Sequence, residues 1–165
     1  MRRLRLLALT VVLPALTRCG QPESSSVSGE PFFSATVDGA PWVASASSGT
    51  VLSSGPQTLI SAIRLVSPQA PEEIQLTFAG LPAQGRFTLG GPLGPRGYFR
   101  PNVMSGTSPP VTYFSSDSRP GVLTIDGVSS SQGLVAGTFA FEASLIPDTS
   151  AHRVVNGQFL VRLSP

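Results

Sequence analysis

The chain contains one histidine, His152, with Asp148, Ser150 and Arg153 close by in sequence. A hydrolytic triad needs a nucleophile, a base and an orienting acid held in line. No Gly-x-Ser-x-Gly elbow accompanies this group, so His152 is expected as an exposed loop histidine just before a strand. Glu72 and Glu73 could form half of a glycosidase pair, which would need a second carboxylate across a cleft. They read more simply as a solvated strand start. The run Gly-Gly-Pro-Leu-Gly-Pro-Arg-Gly over 90–97 is glycine-rich, yet Pro92 and Pro95 remove amides that a phosphate would need, and no helix pattern follows. It reads as a long irregular connection. Asp38, Asp117 and Asp126 lack the ligand spacing of a calcium loop. Asp38 and Asp126 are each followed by glycine, which turn chemistry explains. No catalytic residue, no metal site and no cofactor is expected.

The aromatic residues are a better lead. Tyr98-Phe99 and Tyr113-Phe114 are adjacent pairs, and adjacent residues in a strand point to opposite faces. One ring of each pair should therefore face outward, where it could stack on a sugar or anchor a protein. Arg96 and Arg100 flank the first pair and could donate hydrogen bonds. Tyr98, Phe99, Arg100, Tyr113 and Phe114 are the candidate ligand-binding residues. Trp42 is expected in the core.

The N-terminus carries an address. Arg2, Arg3 and Arg5 form a basic start, residues 6–16 (LLALTVVLPAL) an apolar stretch, and Leu16-Thr17-Arg18-Cys19 follows. This is the layout of a secretory signal, too short for an ordinary membrane span. Its end resembles a bacterial lipobox, with Leu16 three residues before a lipid-accepting Cys19. Arg18 departs from that pattern, which usually has Gly, Ala or Ser there. Acylation at two or more positions gives stable anchoring. Residues 1–19 are thus expected as a signal peptide with a lipobox-like end, and Cys19 as the lipidation site and the contact with the membrane. Gly20 is not the aspartate that commonly retains such proteins at an inner membrane, so the outer membrane is expected if the cell has one. Residues 20–31 (GQPESSSVSGEP) are polar and serine-rich, the composition of a flexible linker.

The leader also distorts the charge. The whole chain of 165 residues is formally +2. From Cys19 onward, seven arginines face nine acidic residues, a net −2. No basic cluster remains, and no nucleic-acid partner is expected. One cysteine allows neither an internal disulfide nor a Cys-rich zinc site.

The candidate residues must be positioned by strands. The chain has 17 Gly and 16 Pro with only 12% charged residues, a composition of turns rather than helices. Phe33, Ala35 and Val37 alternate with polar residues, and Asp38-Gly39 is a hairpin signal. Residues 42–46 follow. In 58–66, Ile60, Ala62 and Val66 share one face and Leu59, Ile63 and Leu65 the other, so both faces are expected to be covered. Residues 73–78 turn Ile74, Leu76 and Phe78 inward. Further strands are expected over 85–89, 111–115 and 122–125. In 134–145, Val135, Phe139, Phe141 and Leu145 share a face. In 153–163, Val155, Phe159, Val161 and Leu163 do. Gly137 and Gly157 fall inward, which indicates a bulge or a close backbone approach. About nine strands result, and an all-β antiparallel sandwich or flattened barrel over residues 32–165 is the predicted fold.

Four segments together carry a resemblance: Phe33-Ser-Ala-Thr-Val-Asp-Gly-Ala-Pro-Trp42, Gly85-Arg-Phe-Thr-Leu89, Val135-Ala-Gly-Thr-Phe-Ala-Phe141 and Val155-Asn-Gly-Gln-Phe159. In this order they resemble a family of uncharacterised bacterial lipoproteins. The resemblance implies an exported all-β domain and brings no catalytic residues. The functional expectation is a lipid-anchored envelope protein, a non-enzymatic binding or structural module with a glycan or protein partner. The competing expectations are an extracytoplasmic hydrolase using His152 and a carbohydrate-binding module using exposed rings.

Overall fold

A computed structural model describes residues 27–52, 57–67, 70–80, 82–90, 94–103, 110–145 and 150–164. Cys19 and Asp148 lie outside them, as do the signal peptide and most of the linker. Among the described residues every regular element is a strand: β1 (Phe32–Val37), β2 (Ala40–Val43), β3 (Ala46–Leu52), β4 (Gln57–Leu65), β5 (Pro71–Ala79), β6 (Gly85–Leu89), β7 (Arg96–Arg100), β8 (Tyr113–Phe114), β9 (Gly121–Ser129), β10 (Leu134–Ser144) and β11 (Ala151–Ser164). The all-β sandwich or flattened barrel read from the sequence is therefore present. It has eleven strands among the described residues rather than about nine, the additional ones being β3 and β7.

Two layers are joined at their corners. One runs β2-β1-β11-β10-β9-β6 and the other β3-β4-β5-β7-β8. The end of β11 leaves β1 and pairs with β3 through Leu163–Gly49 and Ser164–Thr50. The end of β10 leaves β9 and pairs with β8 through Ser144–Phe114. These two long strands belong to both layers and close them into a ring. The short β11–β3 contact is parallel, and every other pairing is antiparallel.

Local chemistry fixes the register. Asp38 (φ 49°) and Gly39 (φ 82°) form the two-residue link between β1 and β2, with positive φ at both positions as the tight hairpin requires. Phe33, Ala35 and Val37 are buried, and so are Ile74, Leu76 and Phe78 of β5. On β10 and β11, Gly137 faces Phe159 and Phe139 faces Gly157. A Cβ on Gly157 would lie 2.5 Å from carbons of the Phe139 ring, and one on Gly137 would lie 2.7 Å from the tip of Phe159. Each ring thus occupies the space left by the glycine opposite, confirming the close approach expected there. Phe33 joins them, 5.0 Å from Phe139 and 6.1 Å from Phe159 between ring centroids.

Two expectations need correction. The inward face of β11 is not Val155, Phe159, Val161 and Leu163 throughout. Val154 is buried and Val155 is not, because Val155 and Asn156 together oppose the single residue Ala140. This β-bulge adds one residue and flips the alternation before it. The second face of β4 is also not covered: Ile63 and Leu65 are 36% and 60% exposed, and Val66, read with the buried Ile60 and Ala62, lies beyond the strand and is 58% exposed.

Candidate functional site

β5, β7 and β8 lie side by side, and their outer face holds part of the expected site. Tyr98 pairs with Phe114, and Phe99 with Tyr113. Strand alternation then sends Tyr98 and Phe114 outward together, half-buried, and Phe99 and Tyr113 inward. Phe99 is 2% exposed and part of the core, and Tyr113 packs against that core. Phe99 and Tyr113 are therefore withdrawn as surface ligand-binding residues. One outward ring per pair was legible, but which one depended on the register.

Arg96 places its guanidinium 5.4 Å from the centre of the Phe114 ring, within range of a cation–π interaction. Arg100 is committed elsewhere. Its Nη1 donates to Glu73 Oε2 at 2.5 Å and its Nε to Thr112 Oγ1 at 3.1 Å. Glu73 also accepts from Ser61 Oγ at 2.7 Å and is 8% exposed. The idea of a solvated strand start fails for Glu73, because Arg100 and Ser61 roof it over. The outer face thus presents Tyr98, Phe114 and Arg96, with the Glu73–Arg100 pair holding β5 to β7.

Glu72 points the other way and closes one end of the core. Its Oε2 accepts from Trp42 Nε1 at 2.8 Å, Arg64 Nη2 at 2.6 Å and Arg64 Nε at 3.0 Å. Arg64 also donates to the Pro41 carbonyl and lies over the Trp42 ring at 5.7 Å. Trp42 is fully buried, as anticipated. The carboxylate gives the buried indole N–H its partner, and the arginine balances the charge.

His152 is not an exposed loop residue. It is the second residue of β11, half-buried, with its ring 4.8 Å from Phe99 and 4.5 Å from Tyr113, both edge to face. Its Nδ1 lies 2.7 Å from Asp38 Oδ2. Asp38 Oδ1 accepts from the Arg153 amide at 2.8 Å, and the Asp38 amide donates to the Arg153 carbonyl at 2.9 Å. Partial burial pushes the Asp38 carboxyl up. The Arg153 amide and the His152 ring, by hydrogen bond and by charge, outweigh it and hold the carboxyl below its ordinary value. Among the described residues the imidazole meets one carboxylate and two rings, and no serine hydroxyl is bonded to it. The pair joins residues 114 apart. Asp38 gave only a turn signal in the sequence, so nothing there pointed to His152. Asp117 is exposed in a turn. Asp126 is exposed but is not in the turn that Asp-Gly suggested: it lies within β9, as the extra residue of a bulge between Ile125 and Gly127, which face Gly137 and Ala136. The described residues hold no group of three or more His, Cys, Asp or Glu suited to a metal.

No protein-family model, curated protein or solved structure matches this chain.

Proposed function

We propose that this chain is an exported, lipid-anchored envelope protein whose β domain is a binding module. The outer face of β5, β7 and β8 is its contact with a protein partner. The observation that carries this reading is the outward pairing of Tyr98 with Phe114 beneath Arg96. Tyr, Phe and Arg are enriched where proteins meet proteins, because they combine large contact area with polar handles. Since Arg96 covers one side of Phe114, a partner meets ring edges, a phenol and a guanidinium. That favours a protein over the flat ring platform that a sugar would stack on. The anchor would be Cys19, with residues 20–31 as the tether.

Two experiments test the two halves. Labelling cells with an alkyne fatty acid should tag the wild-type protein and not Cys19→Ser; an untagged wild type refutes the anchor. Cross-linking from a photoreactive residue at position 118, near β8, should capture a defined envelope protein. The Tyr98→Ala, Phe114→Ala double variant should lose that product while still unfolding cooperatively above the cross-linking temperature. A product unchanged in the double variant removes these rings from the account.

A further inference from the structure

The opposite layer carries a separate feature. Three shallow cavities follow one another along the outer face of β10. One, of about 290 Å³, lies by Phe32, Ala136 and Leu160. The next, of about 300 Å³, is lined by Val122, Thr138, Asn156 and Gln158. A third, of about 260 Å³, is bounded by Ala140, Glu142, Arg153 and Val155. Ala136, Thr138, Ala140 and Glu142 are the alternate, outward residues of β10 and make the floor. From Ala136 to Glu142 the floor runs about 20 Å at the usual antiparallel rise.

We propose that this trough binds a linear, uncharged glycan lying along β10. The lining side chains carry the chemistry. Thr138, Asn156 and Gln158 are exposed, and among the described residues no side-chain hydrogen bond engages them. They offer amide and hydroxyl groups of the kind that pair with sugar hydroxyls. Asn156 has φ 52°, a conformation uncommon for a residue with a side chain. It sits in the bulge where Val155 and Asn156 together oppose Ala140. Bulges re-aim side chains, and Asn156 lines the same cavity as Ala140, one of the two alanines of the floor. Val122 and Val155 supply apolar surface for the C–H faces of a sugar.

Charge and backbone decide the ligand class. Arg119 and Glu142 form an ion pair at one end of the trough. Beyond that pair, Asp126 lines one end cavity and Arg153 the other, one charge of each sign, and the central lining is neutral. β10 is paired on both sides, with β9 and β11, and these have β6 and β1 as outer neighbours, so the floor offers an extended peptide no open strand edge to pair with. This surface is distinct from the Tyr98–Phe114 face and does not depend on it.

The test is calorimetric titration of the full chain with cellohexaose, maltohexaose, laminarihexaose and chitohexaose, with a Gly-Ser decapeptide as control. At least one hexaose should bind. The Asn156→Gly, Gln158→Ala double variant should bind it at least tenfold more weakly with an unchanged melting temperature, because glycine keeps the positive φ and removes only the side chain. Tyr98→Ala, Phe114→Ala should bind it as the wild type does. The proposal is overturned by no binding to any hexaose at millimolar concentration, by binding of the decapeptide instead, by full binding in the Asn156→Gly, Gln158→Ala variant, or by loss in the Tyr98→Ala, Phe114→Ala variant.

Discussion

Replacing Glu72 by Gln probes the closed end of the core with almost no change of shape. One oxygen of Glu72 receives three donors, from the buried Trp42 indole and from two nitrogens of Arg64. A glutamine oxygen carries no formal charge, so the three hydrogen bonds it receives weaken and the guanidinium loses its counter-charge. A hydrogen bond to a charged group contributes about 1.5–3 kcal/mol, and breaking a fully buried ion pair costs about 3–5 kcal/mol. Here the side chains of Arg64 and Glu72 are 27% and 18% exposed. Solvent therefore screens part of the charge, and a cost of about 1.5–3 kcal/mol follows. Trp42 is the only tryptophan and is itself a member of the cluster, so its fluorescence reports the unfolding directly. With a urea dependence of about 2 kcal/mol/M, the midpoint should fall by about 1 M. Arg64→Met alone should cost a similar amount, and the two changes together should cost clearly less than their sum, because each removes the same interaction. A loss below about 0.5 kcal/mol for Glu72→Gln, or strict additivity with Arg64→Met, would refute the assignment of Glu72 as the partner of both residues.

Other outcomes follow from the same geometry. Gly157→Ala should destabilise by about 1–3 kcal/mol through overpacking against Phe139, read by thermal melting, and Phe139→Leu in the same chain should recover part of the loss. Phe99→Ala should cost about 3–5 kcal/mol, whereas Tyr98→Ala should cost well under half of that; equal costs would contradict the inward and outward assignment. Asp38 has a carboxyl held below its ordinary 3.8, so its contribution is present above pH 3.8 and is lost as the pH falls through the lowered folded value. The stability difference between wild type and Asp38→Asn should shrink below pH 3.8 in acid titrations followed by Trp42 emission, and a difference that stays constant down to pH 2 would contradict it.

Strands whose apolar residues alternate without interruption were legible in the sequence. Phe33-Ala35-Val37 and Ile74-Leu76-Phe78 point inward as read. β7 shows no apolar alternation in the sequence because its inward residues are Gly97 and Phe99, and a glycine leaves no mark of a face. β3 begins Ala-Ser-Ser-Gly, with no large side chain to mark a face. In β11 the bulge at Asn156 inserts a residue, and a strict period of two then misassigned Val154 and Val155. The Asn-Gly pair was the one local sign of it. At the candidate site, adjacency predicted one outward ring per pair, but only cross-strand register could select Tyr98 and Phe114. The partners of Trp42 and His152 come from distant strands, and no local pattern encodes such meetings.

The corner-switching strands also set the order of events during synthesis. Of the described strands β11 is made last, yet it borders β1, β3 and β10. Until it leaves the ribosome, β1 lacks its main neighbour and the two layers lack one of their joints. The nascent chain therefore cannot seal its interior early, and its late, long-range pairing favours slow folding. Until that pairing forms, β1 and β3 each present an open edge, the kind of surface on which another chain can add a strand.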